Sequence, residues 1–264
     1  MRTALTIAGS DSSGGAGIQA DLKTFAAFGV YGTCAVTAIT AQNTTGITEM
    51  SAMSADLVTA QIEAVAGDIE IHATKIGMLA TAAIVEAVAA AIEELDLPLV
   101  VLDPVMVSTS GRRLIDEDGV KTMCAELIPR AFLVTPNLPE AEVLSGLSIA
   151  SPDDVREAAR RIHGIGGALV LMTGGHATGD AIVDVLFDGH AFTEFSAPRL
   201  EARHTHGTGC THASAVAACL ALEMTPHEAA RRAQQYVGGA IRHGLAIGHG
   251  QGPLDHFWET RRYT

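Results

Sequence analysis

Short apolar runs alternate with helical stripes along most of the chain. Residues 5–8 form an apolar run that leads into a glycine-rich loop, and residues 18–28 repeat apolar side chains at helical spacing until Gly29. The same patterns predict strands at 35–40, 74–76, 97–102, 132–134 and 168–172, and helices at 56–66 and 83–95. The segment 97–102, LPLVVL, is typical of a strand buried on both faces of a parallel sheet. The pattern therefore predicts an α/β fold with a mostly parallel sheet.

The last third of the chain departs from this alternation. Residues 181–187 and 190–195 predict a hairpin that turns at Asp188-Gly189. Residues 204–224 predict a loop that feeds a buried helix, and a last long helix follows at 226–244. Because no repeat or linker divides the sequence, we predict one domain over residues 1–264.

The turn before the buried helix is a candidate anion site. Gly207, Thr208 and Gly209 allow a tight turn, and the free N–H groups at a helix start, with the helix dipole behind them, attract phosphate or an oxyanion. Cys210 stands at this helix start, where a thiol pKa is ordinarily lowered, so we expect Cys210 to act as a base or nucleophile. Cys219 is expected to face the core.

Two other interpretations of this segment stay open. The glycines can serve only to turn the chain. Alternatively, the segment supplies atoms for a metal site from His204, His206, Cys210 and His212, although no second pair of ligands is present elsewhere.

Composition limits the partners. The 264 residues carry a formal net charge of −13 and contain Lys23, Lys75 and Lys121 as their lysines, which argues against a nucleic-acid surface. An anionic ligand must then be bound by N–H groups, a metal and a few cations. Four cysteines without a CxxC pair indicate free thiols, and neither a membrane span nor a signal peptide is indicated, so we expect a cytoplasmic protein.

The glycine loop at residues 9–17 matches neither familiar nucleotide motif. Its spacing resembles a P-loop, but Gly15 and Ala16 stand where lysine and serine or threonine are required. Gly15, Gly17 and Ala20 fit a dinucleotide fingerprint by spacing, yet the next strand lacks the acidic residue that would hold a ribose. The loop still predicts a ligand at a strand end.

Polar residues follow three consecutive apolar strands. Asp103 follows the strand at 97–102, Asn137 and Glu140 follow 132–134, and Thr173 follows 168–172. The carboxyl ends of parallel strands meet at one edge of a sheet, so Asp103 and Glu140 are candidates for Mg²⁺ and Asn137 for phosphate oxygens. Taken singly, each is also explained as a turn residue or a helix-start charge. Together with the anion site they indicate phosphoryl transfer.

Two further residues are candidates for binding a flat ring. Gln42 could bind the edge of a heterocycle, because an amide presents a donor beside an acceptor, although it also fits an ordinary polar turn. Met78 could form an apolar pocket wall or a core contact.

Several of these segments together carry a resemblance. In unbroken order, AGSDSSGGAGIQAD, TAQNTTG, TKIGML, LDPVM, TPNLPEAE, TGGH and HTHGTGCT resemble the hydroxymethylpyrimidine/phosphomethylpyrimidine kinases of the ribokinase-like family. The resemblance implies a three-layer αβα fold with helices on both faces of the sheet. It also implies phosphorylation of 4-amino-5-hydroxymethyl-2-methylpyrimidine and then of its monophosphate in thiamine biosynthesis, with ATP, Mg²⁺ and a homodimer.

The resemblance also implies roles for individual residues. Substrate contacts would come from Gln42, Gly9, Asp21, Met78 and Val105. Contacts to ATP would come from Asn137, Thr173 and Lys75, and Mg²⁺ would be held by Asp103 and Glu140. The anion hole would be Gly207, Thr208 and Gly209, with Cys210 in place of the aspartate base of most sugar kinases. Thr173 departs from the family, which usually has lysine there, and residues 108–113 and 174–180 are candidate lid loops.

Three rival functions remain. A pyridoxal kinase would use a similar hydroxymethyl group on a pyridine ring. A cysteine hydrolase would pair Cys210 with His206 or His212 and would need a third orienting group. A pyrimidine-binding regulator would bind ligand without producing ADP.

Overall fold

A computed structural model of the chain describes residues 1–108, 111–176 and 180–261. Its nine strands form one sheet. In chain order they are Thr3–Asp11 (β1), Tyr31–Asn43 (β2), Gly46–Ala52 (β3), Ala73–Ile76 (β4), Val100–Leu102 (β5), Leu133–Val134 (β6), Leu169–Met172 (β7), Ala181–Phe187 (β8) and Phe192–Pro198 (β9). The order across the sheet is β3-β2-β1-β4-β5-β6-β7-β8-β9.

Six neighbouring strands, β2, β1, β4, β5, β6 and β7, are parallel. The edges are antiparallel, because β3 pairs with β2 on one side and β8 and β9 follow β7 on the other. The mostly parallel sheet and the β8–β9 hairpin are therefore confirmed. Strand β3 was not predicted, since none of its side chains is buried and its exposed positions do not alternate.

Helices cover both faces of this sheet. They are Gly17–Ala27 (α1), Ala55–Ala66 (α2), Ala82–Glu94 (α3), Glu117–Thr122 (α4), Leu138–Ser145 (α5), Pro152–Gly166 (α6), Thr208–Ala221 (α7) and Pro226–Arg242 (α8). Phe25 of α1, Val216 of α7 and Tyr236 of α8 share one core cluster, whereas Val85 of α3 and Ile162 of α6 belong to the other. The three-layer αβα arrangement is confirmed.

The strand predicted at 97–102 begins later than expected. Leu99 has a left-handed backbone with φ of 44°, and the N–H of Leu97 bonds to the carbonyl of Ile92 at the end of α3. These two residues therefore close the turn from helix to strand, with Leu97 buried and Leu99 half-buried outside the ladder. An apolar run in the sequence does not distinguish a buried strand from an apolar turn that packs beside the strand.

Hydrogen bonds between strand ends bring the polar residues to one edge of the sheet. The N–H groups of Gly77, Asp103 and Thr173 bond to the carbonyls of Ile7, Ile76 and Pro136, at 3.0, 2.8 and 3.0 Å. Ligands bind at this edge in open α/β sheets. In the three described ranges, no helix is both long and apolar enough to cross a membrane.

Candidate active site

A buried ion pair lies beneath the strand ends. Lys75 on β4 places its Nζ 3.0 Å from Oδ1 and 3.1 Å from Oδ2 of Asp21 on α1. The hydroxyls of Thr6 and Ser214 donate to Asp21 at 2.6 and 2.7 Å, and Asp103 Oδ2 lies 3.9 Å from Lys75 Nζ. Burial lowers the pKa of Lys75, but the nearby Asp21, Cys210 and Asp103 outweigh it, so the pKa is raised and the ammonium stays charged.

This geometry bears on two predictions. Lys75 and Asp21 are both 0% exposed and bind each other beneath the strand ends. The expected contacts of Lys75 with ATP and of Asp21 with substrate therefore stay predictions. Because Asp21 accepts from Lys75 and from two hydroxyls, the cluster joins β1, β4, α1 and α7 beneath the site.

Cys210 is half-buried in the first turn of α7, next to this cluster. Burial raises the pKa of its thiol to about 12; Lys75 opposes the rise, Asp103 and Asp21 add to it, and a hydrogen bond from the Gly17 N–H lowers it slightly. The predicted low thiol pKa is wrong, because loss of hydration outweighs the stabilisation from the helix start. Cys210 is a neutral thiol at physiological pH. Cys219, by contrast, is buried in the core as predicted.

The predicted anion hole has its unbonded N–H groups at Gly209 and Cys210, whereas that of Thr208 is taken. The N–H and the hydroxyl of Thr208 both bond to the Thr205 carbonyl, at 3.3 and 2.7 Å. No acceptor within the described part of the chain faces the N–H groups of Gly209 and Cys210. A side chain added at Gly209 would meet nothing within 4 Å. Two N–H groups without a partner at a helix start are the donors that an anion needs.

Gly207 has a structural task. Its φ is +84°, and a Cβ there would lie 1.9 Å from the carbonyl oxygen of Gly15. The glycine loop after β1 and the turn before α7 therefore touch through their backbones. Only glycine permits this approach.

Asp103 and Glu140 form an acidic pair after β5 and at the start of α5. Both are buried. Burial raises the pKa of Asp103, against the influence of Lys75 and together with that of Asp21. Burial and the Asp103 charge raise the pKa of Glu140, while N–H groups of Asn137 and Met106 lower it. Oδ2 of Asp103 has no hydrogen-bond partner among the described residues.

Asn137 caps helix α5. Its Oδ1 accepts from the Glu140 N–H at 3.0 Å, and its own N–H donates to Glu140 Oε2 at 3.0 Å, which is a capping box. Thr173 lies beside it, bonded to the Pro136 carbonyl. The structure thus brings Asn137, Glu140 and Thr173 together, as the strand ends predicted.

Gln42 lies within β2 and lines a cavity of ≈ 290 Å³ with His206 and residues of the 43–46 and 250–251 segments. Gly9, Met78 and Val105 form an apolar wall. A Cβ at Gly9 would lie 2.8 Å from Met78 Cε, and Val105 packs on the small cluster that contains Met78. Four of the five predicted substrate residues therefore lie around the β1 and β2 strand ends.

His206 is the residue whose role the sequence did not reveal. Its Nε2 is 2.8 Å from Asp11 Oδ2, and its backbone N–H bonds to the Gly252 carbonyl. Asp11 also accepts the N–H groups of Ser13, Gly15 and Ala16, so it ties the glycine loop to the turn before α7. The positions lie 195 apart in sequence, and no spacing rule connects them.

The metal interpretation of the histidines is wrong. His204 accepts from the Gly252 N–H, His206 faces Asp11, and His212 lies 3.7 Å from Asp184. No three potential ligands converge within the described ranges. The hydrolase interpretation is not favoured either, because His206 is paired with Asp11, no hydrogen bond joins Cys210 to His212, and the Cys210 thiol is neutral. A larger groove of ≈ 710 Å³, beside α3 and α4, contains none of the predicted site residues.

The comparisons with known proteins agree with this geometry. The family model described as phosphomethylpyrimidine kinase matches residues 11–255. The chain belongs to this family. It is therefore a kinase, and the family's phosphoryl donor is ATP.

Two relatives give the scale of the similarity. The hydroxymethylpyrimidine/phosphomethylpyrimidine kinase of Bacillus subtilis is 45% identical over 255 residues, which cover 96% of this chain and 94% of the relative. The thiamine biosynthesis bifunctional protein ThiED of Geobacter sulfurreducens is 48% identical over 252 residues. These cover 96% of this chain but 51% of that protein, so the chain spans about half its length.

Solved structures confirm the ribokinase-like fold. An ADP complex of Bacillus subtilis pyridoxal kinase superposes with a TM-score of 0.89 at 39% identity and covers 97% of both chains. The phosphomethylpyrimidine kinase of Clostridium difficile 630 gives a TM-score of 0.82 at 40% identity, over 91% of this chain and 100% of that one.

Proposed function

We propose that this kinase transfers the γ-phosphate of ATP to the hydroxymethyl group of 4-amino-5-hydroxymethyl-2-methylpyrimidine, and a second phosphate to the resulting monophosphate. The observation that carries the proposal is the convergence of three features at one sheet edge. They are the free N–H groups of Gly209 and Cys210, the Asp103–Glu140 pair, and the Gln42 amide over a small cavity. The resemblance of the chain to named pyrimidine kinases supports the substrate class.

Each feature has a chemical task in this transfer. The two N–H groups at the start of α7 neutralise charge that develops on the transferred phosphate. The neutral Cys210 thiol orients the hydroxyl nucleophile, because the loose transition state of phosphoryl transfer requires little basicity. Asn137 and Thr173 support the nucleotide phosphates. Gln42 orients the ring, and Gly9, Met78 and Val105 exclude water from its face.

The acidic pair fits Mg²⁺. Mg²⁺ is held by one or two carboxylates together with waters and substrate phosphates, so Asp103 and Glu140 suffice. Oδ2 of Asp103 has no hydrogen bond, and the pKa of both carboxyls is raised, which indicates a place suited to further positive charge. When bound, Mg²⁺ would neutralise the phosphate charge of ATP.

A pyridoxal kinase is the second candidate, because the similarity to pyridoxal kinase structures is equally extensive. The two functions differ in the ring they accept. A pyridine ring lacks the adjacent ring nitrogen and amine that an amide edge can bind together.

The deciding experiment measures ADP release from MgATP with hydroxymethylpyrimidine, its monophosphate and pyridoxal in separate reactions. Turnover of both pyrimidines at a higher kcat/KM than pyridoxal would support the proposal. Cys210→Ala should slow the first step by about 100-fold and the second by less, since it removes the thiol that orients the hydroxyl, whereas the second nucleophile is a phosphate oxygen. Preference for pyridoxal would favour the second candidate, and absence of ADP would overturn both.

A single domain over residues 1–264, a homodimer and a cytoplasmic location complete the proposal. Light scattering on the purified chain tests the dimer. The candidate lids at 108–113 and 174–180 include residues 109–110 and 177–179, which lie outside the described residues.

A further inference from the structure

The Gln42 amide contacts two side chains that restrict its orientation. Its Oε1 lies 3.1 Å from Thr40 Oγ1, and its Nε2 lies 3.2 Å from His206 Nε2. The oxygen and nitrogen of an amide have nearly the same shape, so the partners decide which end faces which contact.

Thr40 can only accept a hydrogen bond from Gln42. Its Oγ1 is also 2.9 Å from the carbonyl oxygen of Ser10. A carbonyl cannot donate, so the single hydroxyl hydrogen of Thr40 lies on that contact. The oxygen then offers only lone pairs, and the amide atom that faces Thr40 must be the NH₂ group.

His206 cannot accept a hydrogen bond from Gln42. Its Nε2 is 2.8 Å from Asp11 Oδ2, which also accepts the N–H groups of Gly15 and Ala16. Burial raises the pKa of Asp11, but hydrogen bonds from His206 and Ser13 outweigh it and lower the pKa, so Asp11 is a carboxylate. The proton between them therefore resides on Nε2 of His206. Nε2 then has no lone pair that could accept from an amide NH₂ group, and two sets of hydrogens would face each other there. The amide atom that faces His206 must be the oxygen, which shares the N–H that points mainly to Asp11.

We propose that Thr40 and the Asp11–His206 pair lock the Gln42 amide with its nitrogen toward Thr40 and its oxygen toward His206. Both contacts independently require this orientation, which is related to the opposite one by a 180° rotation of the amide. One N–H and one oxygen lone pair remain for a ligand. Thr40, His206 and Asp11 are positioning residues that fix the order in which a substrate ring meets donor and acceptor.

The lock selects one class of ring and rests on the proposed function. A 4-aminopyrimidine presents an acceptor nitrogen beside a donor amine, whereas the 4-oxo analogue presents a donor N–H beside an acceptor oxygen. A freely rotating amide would accommodate either ring. A locked amide forms both hydrogen bonds with the amino ring. With the oxo ring, donor faces donor and acceptor faces acceptor, and such unpaired polar groups strongly disfavour the oxo ring.

The test compares kcat/KM for 4-amino-5-hydroxymethyl-2-methylpyrimidine and its 4-oxo analogue in matched variants. We expect wild type to prefer the amino ring by at least ~100-fold. Thr40→Val removes the acceptor and should reduce that ratio about tenfold, whereas Thr40→Ser should retain it. His206→Leu should also reduce the ratio, and His206→Gln, which keeps a donor, should restore much of it.

An unchanged ratio in Thr40→Val, or equal use of both rings by wild type, would overturn the lock. A general loss of structure would lower both kcat/KM values and leave their ratio unchanged, and thermal unfolding identifies variants that fail to fold. If His206→Leu is unfolded, the comparison of Thr40→Val with Thr40→Ser still tests the lock. If wild type phosphorylates neither pyrimidine, the proposed function fails. The affinities of the amino and oxo rings, measured by calorimetry, then test the lock. If neither ring binds, the lock is overturned.

Discussion

Lys75 Nζ and Asp21 Oδ1 lie 3.0 Å apart, and neither side chain is exposed. Lys75 lies on β4, inside the sheet, and Asp21 lies on α1, so the pair joins a strand to a covering helix. Replacement of one partner would leave a buried charge without compensation.

We therefore expect Lys75→Met to lower the free energy of unfolding by about 3–5 kcal/mol. The double variant Lys75→Met/Asp21→Asn should recover part of that loss, because it also removes the unpaired carboxylate. Urea unfolding followed by circular dichroism measures both. Lys121→Met, which removes an exposed pair with Asp118, is the control and should leave the midpoint unchanged. An equal, small effect of the two lysine changes would show that the buried pair is not structurally important.

The Cys210 thiol should react slowly with alkylating agents. Because its pKa is raised to about 12, we expect labelling by iodoacetamide at pH 8 to be at least ~100-fold slower than for a free thiol. Mass spectrometry of the individual cysteine peptides measures the rate. In urea the same thiol should react at the ordinary rate, which controls for the reagent. Fast labelling in the folded protein would contradict the raised pKa and favour the interpretation of Cys210 as a thiolate base.

Stability should fall as the pH rises above about 4. The pKa of Asp103 is raised to about 6 and that of Glu140 to about 8, so the folded state holds protons that the unfolded chain has already released. Their contribution is fully present below the unfolded pKa of about 4 and is lost as the pH rises through the folded pKa of each group. Thermal unfolding at pH 5 and pH 8.5, without Mg²⁺, measures this slope.

The matched variant for this prediction is Asp103→Asn/Glu140→Gln. Both amides imitate the protonated carboxyls, so the variant should show a weaker slope and a higher Tm than wild type at pH 8.5, by about 3 °C or more. Added Mg²⁺ should stabilise wild type more than the variant. Identical slopes in the two proteins would assign the pH dependence to other groups.

Substitutions at Gly207 and Gly209, in the turn before Cys210, should separate effects on activity from effects on folding. Gly209→Ala places a methyl group in open space, so its Tm should stay within about 2 °C of wild type while kcat/KM falls at least tenfold. Gly207→Ala forces a positive φ and a clash with the Gly15 carbonyl, so its Tm should fall markedly. Thermal unfolding and ADP release, measured on both variants, make the comparison. Full activity of Gly209→Ala would remove the α7 start from the site.

Much of this architecture could be predicted from the sequence. The strand and helix periods, the polar residues after the apolar strands and the glycine turn before α7 are local patterns. The backbone follows such patterns because burial alternates with period 2 or 3.6. They located Asp103, Asn137, Glu140 and Thr173 at one edge of the sheet. They missed β3, whose exposed side chains carry no such period.

Only the tertiary structure decided which groups meet and in what state of charge. Sequence patterns place Lys75 and Asp21 on separate elements, but their contact and complete burial depend on how α1 packs against β4. The same holds for Cys210, where position at a helix start predicts a low pKa and burial among two carboxylates produces a high one. The Asp11–His206 contact joins residues that lie 195 positions apart in the sequence. Desolvation and long-range hydrogen bonds depend on distances between elements, and a linear pattern does not contain those distances.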